Sequence, residues 1–130
     1  MNKIFHGIDL VDQSRMDKLQ QRHGDRFMRR VFTEREQEYC RRYRLQAERL
    51  AGRFAVKEAV MKMLGTGWQG GIAWTDIETV NDKLGRPEIR LNGKTQQLAR
   101  ELGIEQICVS ITHTKGLALA SVVGLGRQSE

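Results

Sequence analysis

Three ionisable side chains stand where their neighbours are apolar: Asp9 in GIDLVD, Glu58 in LAGRFAVKEAVMKMLGTG and His113 in VSITHT. Read at about 100° per residue, the second of these segments places Leu50, Phe54, Met61 and Leu64 on one side of a helix and Val56, Ala59, Val60 and Met63 on another. Glu58 falls on the narrow strip that remains, with Ala51, Ala55 and Lys62. A carboxylate in such a setting needs a partner. Lys62, at i, i+4 spacing, could be that partner on a solvated strip, stabilising the helix by about 0.2–0.5 kcal/mol. Asp9 is an unusual residue between Ile8 and Leu10 in a strand-like alternation, unless it simply ends the strand. His113 is in phase with Val109 and Ile111, where a histidine serves equally as a hydrogen-bonded turn residue. Taken singly, none of the three decides a chemistry. The segment GTGWQG, residues 65–70, has the G-x-G-x-x-G spacing of a dinucleotide loop, but it closes a helix where such a loop must open one. It reads as a helix C-terminus followed by a loop.

Arg15, Lys18, Arg22, Arg26 and Arg29 recur at helical spacing opposite Met16, Leu19, His23 and Phe27, with Gly24 interrupting the phase. The basic face is either simply solvated or a docking surface for something acidic. The whole net charge of +6 falls in the first half of the chain, so the natural partner is anionic: nucleic acid, a phosphorylated small molecule or an acidic protein. A nucleic-acid module is the weaker reading. Two Trp, two Tyr and four Phe form no base-stacking pattern, and zinc-finger or homeodomain spacings are missing.

The elements that must position these residues follow from periodicity and punctuation. Residues 4–11 alternate as a strand, with Ile4, His6, Ile8 and Leu10 on one face and Phe5, Gly7, Asp9 and Val11 on the other. A helix over residues 13–23 is stopped by Gly24, and Asp25 can cap a short continuation. Thr33 and Glu36 form a capping-box signature for a helix to about Tyr43. The helix of residues 46–64 is expected to be the longest, with Gly65 just beyond its end. Short strands are predicted at 76–80 and 88–91 around a turn at Gly85, Arg86 and Pro87, and Asn92 caps a helix to about Leu102. Strands at 106–112 and 117–123 flank HTKG, a hairpin signal. The expected class is α+β, a mainly antiparallel sheet against one long helix, in a single domain spanning residues 1–130. No apolar run reaches the roughly 20 residues of a membrane span. Asp9 interrupts what would be the apolar stretch of a signal peptide, and Cys40 and Cys108 lack paired spacing, so a reduced, cytoplasmic protein is expected.

In series, GIDLVD (7–12), FTERE (32–36), LAGRFAVKEAVMKMLGTG (50–67), WTDIE (74–78), LGRP (84–87) and VSITHT (109–114) resemble the small phosphopantetheinyl transferases of the holo-(acyl-carrier-protein) synthase type. The resemblance runs over nearly the whole chain. It implies transfer of 4′-phosphopantetheine from coenzyme A to a serine of apo acyl carrier protein, in support of fatty acid biosynthesis, with release of adenosine 3′,5′-bisphosphate. It further implies that Asp9 and Glu58 bind Mg²⁺, a hard cation that takes one or two protein carboxylates and leaves its other positions to phosphates and water. Glu58 is the expected acceptor of the serine proton, directly or through water. Lys62 and Arg53 are expected at anionic oxygens, His113 and Thr114 at the 3′-phosphate end of the coenzyme, and Gly65, Thr66 and Gly67 as backbone donors to the nucleotide. Arg86 and Pro87 are expected to flank the adenine. Arg15, Arg22 and Arg26 are then expected to dock the acidic carrier. The type forms homotrimers with active sites between subunits, and a helix apolar nearly all round fits a domain that needs a neighbour to cover it.

Overall fold

The computed structural model describes residues 1–66 and 71–127. The chain opens with β1 (Asn2–Asp12), followed by α1 (Gln13–Val31), α2 (Glu34–Arg41) and α3 (Gln46–Leu64). A 3-10 turn at Trp74–Asp76 leads into β2 (Ile77–Asn81) and β3 (Pro87–Leu91), then α4 (Gly93–Glu101), β4 (Ile104–Thr114) and β5 (Leu117–Arg127). The class is α+β. The expectation of a single sheet is corrected: the strands form two antiparallel sheets, β1-β5-β4 and β2-β3. Gly24, with φ 55° and ψ −135°, breaks α1 into two shorter helices where the sequence places its helix stop, so α3, at 19 residues, is the longest unbroken helix among the described residues.

Strand β1 pairs with β5 along its whole length, from Asn2 opposite Arg127 to Asp12 opposite Leu117. The hairpin joining β4 to β5 turns through Lys115 and Gly116, both at positive φ, as a two-residue turn of the favoured primed type requires. The inner face of this sheet carries small residues, Gly7, Ala118, Ala120, Gly124 and Gly126, so α3 can lie close upon it. The closest approach is at Gly7, where a Cβ would stand 1.8 Å from the Ala59 carbonyl oxygen. Around the rest of α3 pack α1, α2 and β2. Ala51, Ala55, Val56, Ala59 and Val60 are all fully buried. The chain therefore covers α3 by itself, and the reasoning that this helix demands a second subunit does not hold. The uncovered apolar surface lies elsewhere, on the outer face of the sheet, where Ile4, Ile8, Leu10, Leu117, Val123 and Leu125 are exposed.

A buried ion pair fastens α2 to α3 and to the β2 region. Lys57 Nζ donates to Glu36 Oε1 at 2.7 Å and to the Trp74 and Ile77 carbonyls, with both charged side chains fully buried. Glu36 also accepts from the Thr33 and Thr79 backbone amides, so the capping box seen in the sequence has a second, long-range purpose. Cys40 is buried and Cys108 exposed, and both are free. No helix among the described residues is long and apolar enough to cross a membrane.

Candidate active site

Alternation in β1 turns Asp9 inward onto α3, and the helical repeat brings Glu58 and Lys62 to meet it. Asp9 is only 8% exposed, and its Oδ1 accepts from Lys62 Nζ at 3.0 Å. The same ammonium donates to the Ile8 carbonyl at 2.9 Å. Asp9 Oδ2 is buried without a hydrogen-bond partner, a costly position for a carboxylate oxygen unless something electropositive comes to it. Lys62 thus pairs across elements to Asp9, in place of the local pairing with Glu58 that i, i+4 spacing suggests. Glu58 instead faces Arg15, whose guanidinium stands 3.8 Å from Glu58 Oε1 and 5.3 Å from the centre of the Phe54 ring. Burial, and after it the adjacent Asp9 carboxyl, push the Glu58 carboxyl up to about 7, against the opposing pull of Arg15 and Lys62. Two neighbouring carboxyls, one with an orphaned oxygen and the other reluctant to ionise, suit a small hard cation whose remaining ligands come from phosphate and water. Among the described residues no cluster of three or more acidic, histidine or cysteine ligands forms a self-sufficient metal cage.

A second cluster gathers on another side of α3. Tyr39, Arg49, Arg53, Asn81, Pro87 and His113 are among the residues lining a cleft of about 140 Å³. Arg53 donates to Asn81 Oδ1 and lies 3.7 Å from the Tyr39 ring centre, while Arg49 lies 4.0 Å from that of Tyr43. Buried Arg53 Nε and His113 Nε2 have no hydrogen-bond partner. Gly52 makes room for the imidazole: a Cβ there would stand 2.6 Å from His113 Nε2. Burial first, and the charges of Arg49 and Arg53 as well, depress the His113 pKa despite Glu48. The cleft is an electropositive recess in which Arg53 Nε is a spare donor, suited to an anionic group.

The other residues singled out by sequence fall around these two clusters. Gly65 closes α3 in the left-handed conformation, with φ 78°. Its amide is spent on the Met61 and Lys62 carbonyls, and that of Thr66 on Met61, so the backbone donors expected there serve the helix end. Gly67 lies outside the described residues. Arg86 is exposed in the β2–β3 turn, its amide donating to Asp82 Oδ1 at 2.8 Å, next to Pro87 at the cleft. Thr114 is exposed at the end of β4. Arg22 and Arg26 are exposed on α1 to either side of the Gly24 break. Sequence reasoning missed Tyr39, Arg49 and Asn81. A signal was available: Tyr39 and Tyr43 are four apart, as are Arg49 and Arg53, and the two pairs stack ring to guanidinium between α2 and α3.

A family model for the 4′-phosphopantetheinyl transferase superfamily matches residues 6–120. The chain belongs to this superfamily. Within it, the relatives are holo-(acyl-carrier-protein) synthases: that of Geotalea daltonii is 44% identical over 117 residues, which are 90% of this chain and 94% of the relative. The synthase of Herpetosiphon aurantiacus is 44% identical over 129 residues, 95% of this chain and 99% of the relative. The crystal structure of the synthase from Neisseria meningitidis superposes with a TM-score of 0.84 at 31% identity, covering 92% of this chain and 96% of that one. The Helicobacter pylori synthase, solved in complex with coenzyme A, gives 0.81 at 29% identity, covering 92% and 98%. Membership of the holo-(acyl-carrier-protein) synthase family makes the chain an enzyme of the transferase class.

Proposed function

We propose that this transferase moves 4′-phosphopantetheine from coenzyme A to a serine hydroxyl of an apo acyl carrier protein, releasing adenosine 3′,5′-bisphosphate, in a Mg²⁺-dependent reaction of the cytoplasm that supplies carriers for fatty acid biosynthesis. The observation that carries this reading is the Asp9–Glu58 carboxyl pair with its orphaned oxygen, set beside Lys62. Asp9 and Glu58 would hold the ion, and when bound it supplies Lewis-acid stabilisation of a diphosphate and of the charge that gathers on a leaving phosphate. The residues of the chain do the rest. Lys62 donates to phosphate oxygens from its seat on Asp9 and Ile8. As the serine Oγ–P bond forms and the bridging P–O bond of the diphosphate breaks, the serine proton passes to Glu58, directly or through a water. The Arg53–His113 cleft, flanked by Pro87, Arg86 and Thr114, takes the 3′-phosphate and adenine end.

Glu58 and Arg53 are five residues apart, about 140° around the helix, and the helix between them is buried. One coenzyme molecule cannot wrap that barrier within a single chain. We therefore place the site between copies, in a homotrimer, with the carboxyl pair of one subunit facing the cleft of the next. The exposed apolar sheet face supplies the surface for this assembly. On α1, Arg15, Arg22 and Arg26 offer the acidic carrier its docking face.

Mass spectrometry of an apo acyl carrier protein incubated with this protein, coenzyme A and Mg²⁺ tests the function. Gain of one phosphopantetheine mass is expected. An unmodified carrier, together with nucleic-acid binding of steep salt dependence, would overturn it.

A further inference from the structure

Among the described residues, the Arg15 guanidinium meets the face of Phe54 and the carboxylate of Glu58. Phe54 is itself fixed by stacking on Trp74, with ring centres 5.1 Å apart, so the platform under Arg15 is rigid. Arg15 stands in the first turn of α1, on the basic face that includes Arg22, and its side chain is 56% exposed. It can therefore leave Glu58 for solvent, or for an acidic partner, by rotating its own side chain. Lys62 is differently placed. It pairs with the buried Asp9 and donates to the Ile8 carbonyl as well, so two acceptors hold it on β1.

We propose that Arg15 is the internal counter-cation of Glu58 in the metal-free protein, and that a divalent ion binding to Asp9 and Glu58 releases it to the carrier-docking face. Metal binding and carrier binding are then positively coupled through one side chain. This rests on the metal reading given above and adds to it a linkage between the two ligands. The physics is a competition for one carboxylate. Glu58 cannot be fully paired with a guanidinium and fully ligated to a dication, and the two cations repel when both are near it. A carrier whose acidic groups draw Arg15 away removes the competitor, so carrier tightens metal and metal tightens carrier by the same factor. Because the pair is part-exposed and at 3.8 Å, the factor should be modest, about three- to tenfold.

The test needs no turnover. Mg²⁺ is titrated calorimetrically into the metal-stripped full-length protein, and apo acyl carrier protein affinity is measured with and without Mg²⁺, in the absence of coenzyme A. The wild type should bind the carrier about three- to tenfold more tightly with Mg²⁺ present. Arg15→Ala and Arg15→Gln should bind Mg²⁺ more tightly than wild type by a similar factor, and their weakened carrier affinity should no longer respond to the metal. Arg22→Ala serves as the control: it should weaken carrier binding yet keep the metal response. An Arg15→Ala protein with unchanged Mg²⁺ affinity, or with its carrier binding still enhanced by Mg²⁺, overturns the coupling. Undiminished Mg²⁺ binding by Glu58→Gln instead overturns the metal site itself, so the two failures are distinguishable.

Discussion

Glu58 is subject to opposed influences: burial and the Asp9 carboxyl favour its protonated form, whereas Arg15 and Lys62 favour the carboxylate. A neutral amide reproduces the shape of the protonated acid but can neither accept a proton nor ligate a hard cation well. Glu58→Gln and Asp9→Asn are therefore expected to fold like wild type by circular dichroism while losing at least about 100-fold in the rate of carrier modification. His113 gives a pH signature of its own. Its pKa is depressed in the folded protein, so the unfolded chain takes up a proton first as pH falls. The stabilising contribution of the neutral imidazole is complete above the unfolded value near 6.5 and declines below it, until the folded form also titrates. Thermal melts between pH 7.5 and about pH 5 should fall less steeply for His113→Gln than for wild type. At this scale the sequence was legible where a polar residue broke a periodic apolar pattern, as at Asp9, Glu58 and His113. It was misleading where the true partner lay far along the chain. Spacing on one helix suggested Glu58 with Lys62, but folding of β1 against α3 gave Lys62 to Asp9 and left Glu58 to Arg15.

Among the elements, α3 was the most readable, because Gln46–Leu64 has no proline and ends at a glycine suited to a left-handed cap. The extents of α2 and β5 were less so, since fraying ends and edge pairing depend on neighbours that local pattern does not reveal. Strand β5 continues to Arg127 because β1 is there to pair with it. The Lys57–Glu36 pair shows the same limit. Thr33 and Glu36 looked like a finished local motif, yet Glu36 also neutralises a lysine from α3 inside the core. Removing only the lysine strands a buried carboxylate. Lys57→Met is expected to cost about 3–5 kcal/mol in urea unfolding, whereas adding Glu36→Leu to it should restore much of that loss. An unchanged midpoint for the single variant would show that the pair is not the clasp between α2 and α3 described here.

For the whole molecule, the decisive surface is the outer side of the β1-β5-β4 sheet. The alternation of β1 assigned Ile4, His6, Ile8 and Leu10 to one face, and the structure leaves that face open, with Ile4 71% and Leu10 60% exposed. Sequence could not say which face the chain would cover, because both are largely apolar. A charge placed there would be stranded if copies pack on it. Ile8→Glu is expected to convert the proposed trimer to monomers by light scattering and, because the two clusters around α3 would then be separated, to abolish carrier modification. A monomeric wild type at micromolar concentration would remove the shared-site arrangement while leaving the carboxyl pair and the cleft as described.

The break at Gly24 bears on what can be held against the basic face. Since the two rods of α1 do not share an axis, a single straight cylinder laid beside Arg15 and Arg22 must part company with the rod that carries Arg26. Any partner gripping all three arginines needs a bend of its own, or a second point of purchase. The glycine thereby sets the curvature that such a companion would have to match.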